Sequence, residues 1–255
     1  MLLRFLLSGG RPLGSALLCA GFLLAQAAPG HAVVGGRPGA AQGTSHTVML
    51  VSTRGASCSG TALAQDLILT AAHCVAPPGS YAVAITGSGP PRLIPALRIV
   101  VHPGFDPDQF RNRHPTPDLA LVKLASPLPP SFRPAALTQD NTLPQRGAEY
   151  LIAGYGMASD GADETAGTLR CTSLPTIGTT GGIMARLASP MSNAGACTGD
   201  SGGPAFVGNL LAGVIGWATG PNGARGCGGV TGITLVGLQR DWIEATARKL
   251  GSPVP

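Results

Sequence analysis

Residues 199–204 read Gly199-Asp200-Ser201-Gly202-Gly203-Pro204, a serine hydroxyl set among small residues. A hydroxyl at neutral pH is a weak nucleophile, so a serine placed for chemistry needs an adjacent base and donors for the oxyanion it creates. Gly199, Gly202 and Gly203 let the backbone turn tightly enough for several N–H groups to converge on one spot, and Pro204 keeps the segment out of a helix. A solvated Gly-rich turn would share part of this composition. The catalytic reading therefore requires a histidine and a carboxylate elsewhere in the chain.

The histidine is His73, in Thr70-Ala71-Ala72-His73-Cys74, directly after the apolar run Leu67-Ile68-Leu69, which reads as a buried strand. The small residues before it leave room for an imidazole to face a cleft. A bridge from Cys74 to the upstream Cys58 would pin the turn that carries it to the preceding strand. For the carboxylate, Asp118 precedes Leu119-Ala120-Leu121-Val122-Lys123-Leu124, a strand whose alternate residues are expected to be buried. An imidazole acting as a base becomes a cation in the transition state, and a buried carboxylate both fixes its tautomer and stabilises that cation. Other acids fit less well: Asp66 is too near His73 in sequence to reach its far side, and Asp106 and Asp108 lie in a Pro/Gly-rich loop.

With 38 Gly, 23 Pro and 4% aromatics in 255 residues, the chain is long enough for a large core yet punctuated by turns, as many short strands require. Apolar runs at 48–51, 62–69, 81–85, 93–101 and 118–124 form one set, and runs at 150–153, 168–175, 205–207, 210–217 and 230–235 form another. The one helical pattern covers 236–250, where Leu238, Trp242, Ile243 and Ala245 share a face against Arg240, Asp241 and Arg248. The fold class expected is all-β.

Residues 1–32 read as a signal peptide: Arg4 and Arg11 make a basic start, 16–25 an apolar stretch, and Pro29-Gly30-His31-Ala32 a small-residue exit. A membrane anchor is the alternative, but the stretch is short for a span and lacks a basic stop after it. The expected location is secreted, extracellular or periplasmic. Export would begin the mature chain at Val33. Cleavage after Ala27 or Ala28 followed by trimming of a short propeptide is the other route to the same end. Losing Arg4 and Arg11 lowers the formal charge from +5, and the remaining basic residues form no run able to grip a phosphate backbone, so nucleic acid is not an expected partner. Cys19 would leave with the leader, and the remaining Cys58, Cys74, Cys171, Cys197 and Cys227 suit an oxidising compartment. Neither CxxC nor Cys/His metal spacing occurs, and no Asp or Glu lies between Cys74 and Asp106, so no metal or other cofactor is expected.

The motifs TAAHC, Asp-Leu-Ala-Leu and GDSGGP, in the order His, Asp, Ser, resemble the trypsin/chymotrypsin family of serine endopeptidases; subtilisin-like and α/β-hydrolase triads run in other orders. The resemblance spans nearly everything after residue 32. Val33-Val34-Gly35-Gly36 is similar to the family's mature N-terminus, Gly154-Tyr155-Gly156 to its second-barrel entry, and Trp242-Ile243 to its C-terminal helix. It implies a protease domain over 33–255 made of two antiparallel β-barrels, about 33–145 and 146–235, followed by a helix at about 236–250. It implies His73 as general base and acid, Asp118 as its orienter and Ser201 as nucleophile, with the Gly199 and Ser201 N–H groups as oxyanion donors. It further implies bridges Cys58–Cys74 and Cys197–Cys227, which leaves Cys171 as a buried thiol because the family's partner lies in the N-terminal segment and residues 33–57 contain no cysteine.

By the same resemblance, Asp200 pairs with the freed α-amine of Val33, Gly195 floors the primary pocket, and Ala218 and Gly229 wall it. Without a carboxylate there, an Arg or Lys side chain would be desolvated uncompensated, so the expected P1 residue is uncharged, small to medium apolar first and aromatic second. Gly216-Trp217-Ala218 is expected to pair with substrate backbone by strand addition. Gly216 departs from the family, which has Ser there to help hold the Asp. Protein or peptide substrates are the expected partners, with a proteinaceous inhibitor as a further candidate and a monomer as the expected state. A non-catalytic binding protein on the same scaffold and an esterase using the same triad are the competing functions.

Overall fold

The computed structural model describes residues 33–38, 45–87, 89–112 and 114–254. The leader reading of 1–32 falls outside them. Strand β1 (Arg37–Pro38) precedes β2 (Thr47–Ser52), β3 (Ser57–Ala64) and β4 (Leu67–Thr70). A single helical turn α1 (Ala72–Val75) leads to β5 (Tyr81–Ile85), β6 (Arg92–Val101), the short α2 (Gln109–Asn112) and β7 (Ala120–Leu124). Strands β2-β3-β4-β7-β6-β5 close into an antiparallel barrel, because β5 pairs back onto β2.

The second half contains β8 (Ala136–Leu137), β9 (Glu149–Gly154), β10 (Arg170–Thr180), β11 (Met184–Leu187), β12 (Pro204–Val207), β13 (Leu210–Ala218) and β14 (Thr231–Leu235). Here β9-β10-β11-β14-β13-β12 closes through the β12–β9 pairing, while β1 and β8 flank β10 and β13. The chymotrypsin-like pair of barrels is thus formed, and a C-terminal helix α3 (Arg240–Lys249) follows.

Three apolar clusters account for the packing. One fills the first barrel around Val48, Ile68, Val83 and Val122, and a second fills the other barrel around Ile152, Leu174, Leu187 and Ile233. The third lies between the barrels, where Leu67, Leu69, Leu119 and Leu121 meet Phe206, Leu211, Val214 and Ile243. Strand β7 is consequently buried on both faces: Leu119 and Leu121 look into the joint between the barrels, Ala120 and Val122 into the first barrel, and all four are fully buried. The alternation expected from sequence is lost because both faces pack against apolar clusters, and Lys123 alone of residues 119–124 is partly exposed.

Two other expectations shift, and one strand lies outside the apolar runs. The 62–69 run splits into β3 and β4 at Gln65-Asp66, a tight turn between two apolar strands. Strand β11 carries only four residues, one of them Arg186, and gave no clear alternation. The terminal helix begins with a 3-10 turn at Gly237–Gln239 and becomes α-helical at Arg240; its buried face is Ile243, Thr246, Ala247 and Leu250 rather than one containing Ala245. Both disulfides, Cys58–Cys74 and Cys197–Cys227, are formed, and Cys171 is buried outside them.

Candidate active site

His73 sits on α1, the turn that β4 enters as it leaves the first barrel, and the Cys58–Cys74 bridge ties that turn to β3. Asp118 lies just before β7 and is fully buried. Its Oδ2 is 2.7 Å from His73 Nδ1, and its Oδ1 accepts the His73 backbone N–H at 2.9 Å. One carboxylate thus holds both the ring and the peptide of the histidine. With Nδ1 engaged, Nε2 is the ring nitrogen left to exchange a proton.

Ser201 comes from the loop before β12. It lines a cleft of about 270 Å³ together with His73, Thr198, Gly199, Ala218 and the Cys197–Cys227 bridge. His73 Nε2 stands 3.7 Å from Cys74 Sγ, and among the described residues no hydrogen bond joins it to Ser201 Oγ. Such contacts are commonly long before substrate binds.

The directions of the Gly199 and Ser201 N–H groups follow from the peptide planes. In a trans peptide the C=O and N–H point opposite ways. The Thr198 carbonyl accepts from Met157 N–H at 2.9 Å on the body side of the loop, which turns the Gly199 N–H toward the cleft. The Asp200 carbonyl accepts from Gly203 N–H at 2.9 Å, which does the same for the Ser201 N–H. Among the described residues neither N–H donates to a protein acceptor. Gly199 holds φ at 97°, a conformation that favours glycine.

Two hydroxyls that sequence reasoning did not single out complete the joint. Ser59, fully buried on β3, donates its N–H to the Ser201 carbonyl at 2.8 Å and its Oγ to the Gly199 carbonyl at 2.9 Å. Tyr155 N–H donates back to Ser59 Oγ at 2.9 Å, and Thr70 Oγ1 donates to the Ser59 carbonyl at 2.7 Å. A serine beside a cysteine in a strand carries no sequence signal of this kind. The signal in hindsight is Gly202, where a Cβ would fall 2.1 Å from Thr70 Oγ1 and 2.3 Å from the Ser59 carbonyl.

Asp200 is fully buried and does not line the cleft. Cys197 N–H donates to its Oδ2 and Gly156 N–H to its Oδ1, each at 2.8 Å, and the Val33 N–H also reaches the carboxyl. Burial pushes the Asp200 carboxyl up to about 7, against the opposing pull of those N–H groups and of Arg170. Val33 is itself fully buried, with φ at 50°, a rare and strained value for a β-branched residue.

Gly216, Trp217 and Ala218 end β13, and Ala218 faces the cleft. A Cβ on Gly216 would lie 3.6 Å from Asp118 Oδ2, in ordinary contact. Gly195 and Gly229 pack backbone to backbone: a Cβ on Gly195 would meet the Gly229 carbonyl at 3.0 Å, and one on Gly229 the Gly220 carbonyl at 2.0 Å. Beyond His73 an apolar hollow of about 430 Å³ is lined by Ala76, Pro77, Phe105 and Pro107. Of the alternative acids, Asp66 is engaged by Lys123 and Ser252, and Asp106 caps its own loop through Asp108 N–H. Cys58, Cys74 and His73 bring potential metal-ligand atoms within 4.8 Å of one another, but both sulfurs are spent in the disulfide and have no thiolate to give. Among the described residues no helix is long and apolar enough to cross a membrane.

The family model described as Trypsin matches residues 33–243. Trypsin-3 of Salmo salar is 27% identical over 74% of this chain and 82% of its own. Human kallikrein-11 is 30% identical over 75% of this chain and 72% of its own, and serine protease SP24D of Anopheles gambiae is 30% identical over 86% and 83%. Among solved structures, neuropsin, a serine protease of mouse brain, superposes with a TM-score of 0.68 at 23% identity, covering 84% of this chain and 99% of its own.

Proposed function

Because the chain belongs to the trypsin family of serine proteases and is a serine endopeptidase, we propose that His73, Asp118 and Ser201 are the residues by which it cuts peptide bonds through an acyl-enzyme. The observation that carries this reading is the 2.7 Å contact of a fully buried Asp118 with His73 Nδ1, on a histidine that shares one cleft with Ser201. Ser201 Oγ attacks the scissile carbonyl carbon as His73 Nε2 takes its proton. The carbonyl electron pair moves to oxygen, where the Gly199 and Ser201 N–H groups stabilise it. The intermediate collapses with the C–N bond breaking and the proton passing from His73 to the leaving amine. Water then repeats the sequence on the acyl ester and frees Ser201.

Activity is proposed to require a chain that begins at Val33. A freed α-ammonium there would lie against the buried Asp200 carboxylate, whose present neighbours are dipoles and the more distant Arg170. Cutting before Val33 also removes the preceding carbonyl, whose clash with the Val33 side chain makes φ of 50° costly. The export reading of 1–32 supplies that cut, either directly or after trimming, and gives a secreted, monomeric enzyme that a proteinaceous inhibitor could occupy.

For P1, the Ala218 methyl in the cleft supports small to medium apolar side chains ahead of aromatic ones. Asp160, an exposed carboxylate 3.8 Å from Cys227 Sγ, stands at the rim, where water and salt screen it. The apolar hollow beyond His73 supports a neighbouring apolar substrate residue. A peptide-library cleavage profile tests this: Ala, Val or Leu at P1 is the expected optimum, and cleavage confined to Arg or Lys would overturn it.

A further inference from the structure

We propose that Ser59 is a positioning residue for the oxyanion site, its buried hydroxyl clamping the carbonyl of Gly199 so that the Gly199 N–H stays aimed into the cleft. The proposal rests on the reading of Gly199 and Ser201 as oxyanion donors.

Gly199 is the weak point of that pair. A glycine has no side chain to restrict its own rotations, so the direction of its N–H depends on what holds the peptide planes on either side. The plane before it is held by the Met157 to Thr198 bond. The plane after it is held at both ends: Ser59 Oγ donates to the Gly199 carbonyl at 2.9 Å, and the Asp200 N–H donates to the Cys197 carbonyl at 3.0 Å, so Ser59 supplies the hold on the carbonyl end. A serine hydroxyl has one hydrogen and two lone pairs. Here the hydrogen goes to Gly199, and a lone pair receives Tyr155 N–H, so the rotor is fixed from both sides.

The same residue reaches the nucleophile and the base. Its N–H holds the Ser201 carbonyl, and its own carbonyl is held by Thr70, three positions ahead of His73 in the same segment. Ser59 belongs to the first barrel and Gly199 and Ser201 to the second, so one buried residue fixes the loop across the joint between the barrels. Packing alone does not ask for a hydroxyl at this position. Alanine would fill nearly the same volume, yet it would leave the Gly199 carbonyl and the Tyr155 N–H buried without partners.

The test compares wild type, Ser59→Ala and Ser201→Ala on one peptide anilide, with active sites titrated by a fluorophosphonate. Direct loss of one oxyanion donor costs roughly 10²- to 10³-fold in kcat. Misaiming one is expected to cost less, about 10- to 30-fold in kcat, with KM within about twofold. A peptide aldehyde gives the discriminating readout. Its carbonyl carbon bonds Ser201 Oγ, the Oγ proton leaves through His73, and its oxygen enters the oxyanion site. Its inhibition constant should weaken in step with kcat/KM in Ser59→Ala, while the same peptide ending in a methyl group, with no oxygen to place in that site, binds as before. A merely structural role would lower the melting temperature and the titratable fraction but leave the per-site kcat and the aldehyde affinity alone. Should Ser59→Ala fail to fold, Ser59→Gly adds no volume and serves the same comparison. Wild-type per-site kcat and aldehyde affinity in either variant would overturn the proposal. If Ser201→Ala matches wild type, the catalytic reading itself fails; if Ser201→Ala is inert and Ser59→Ala is unimpaired, only the role of Ser59 fails.

Discussion

Replacing Gly216 by serine should strengthen the hold on Asp118, and the size of the gain can be worked from the structure. Asp118 is fully buried and accepts two hydrogen bonds, both from His73. A carboxylate has about four acceptor positions, so there is capacity for another donor. A Cβ on Gly216 would meet Asp118 Oδ2 at 3.6 Å, Met184 Cε at 3.7 Å and the Gly232 carbonyl at 3.8 Å, so the side chain fits without displacing anything. From that Cβ a hydroxyl can reach Oδ2. A hydrogen bond to a charged group is worth about 1.5–3 kcal/mol net. Part of the observed gain would come from removing glycine's freedom in the unfolded chain, about 0.4–1 kcal/mol, and Gly216→Ala measures that part alone. The serine variant should therefore melt above the alanine variant, by about 3–6 °C for a contribution near 1.5 kcal/mol in a domain of this size. A steadier Asp118 also holds the imidazole against the developing charge, and an extra 0.5–1 kcal/mol expressed in the transition state would raise kcat/KM by about two- to fivefold. Calorimetry and anilide hydrolysis on the three proteins decide it. If Gly216→Ser and Gly216→Ala agree in both melting temperature and kcat/KM, then Asp118 gains nothing from a third donor and the reasoning is wrong.

Adding one residue before Val33 in the processed enzyme, or changing Asp200→Asn, should lower kcat/KM by at least about 10²-fold, since either removes a charge partner from a buried pair; near-normal activity in both would contradict the assigned ion pair. The pH dependence of stability should differ between processed and unprocessed chains. In a chain still extended before Val33, the Asp200 carboxyl sits near 7 in the fold against 3.8 when unfolded, so the native state binds more protons between those values and stability falls as pH rises from about 4 to about 7. In the processed enzyme the Val33 ammonium should draw that value back down, flatten the slope and leave Asp200→Asn with the opposite effect on stability in the two forms; urea titrations at pH 4, 5.5 and 7 measure this. Gly202→Ala should destabilise by about 3 kcal/mol or more, because φ of 82° disfavours a side chain and the new methyl would collide with Thr70 Oγ1 and the Ser59 carbonyl. An unchanged urea midpoint would show that the joint between the barrels is softer than described.

Much of the fold was legible, and the residues proposed for the site could be singled out, because the informative residues are locally constrained. Short apolar runs between Gly and Pro turns can form little other than strands, and the Gly199-to-Pro204 stretch makes sense only around a reactive hydroxyl. What could not be read depends on tertiary company. Strand β7 alternates in neither burial nor polarity because it serves two cores at once, a fact about the second barrel that residues 118–124 do not carry. Ser59 and Thr70 are ordinary β-strand residues in sequence, and their importance arises only where two barrels bring their backbones within hydrogen-bonding distance. In the terminal helix Leu238, Trp242 and Ile243 pack against the cores as their spacing suggests, and Thr246, Ala247 and Leu250 extend that face where Ala245 was expected. Gly195 and Gly229 are expected from sequence as pocket surface, but their backbones pack closely together and neither lines the cleft that holds Ser201, a tertiary fact invisible in composition.

Ser201, activated by His73 and Asp118, is proposed to form the covalent intermediate. Treatment of the processed enzyme with a fluorophosphonate, followed by peptide mass mapping, tests it most directly. The expected result is one label per chain on the peptide containing Ser201, formed far more slowly in His73→Ala and absent in Ser201→Ala together with peptide hydrolysis. Labelling at another residue, or hydrolysis that persists in Ser201→Ala, would contradict the account.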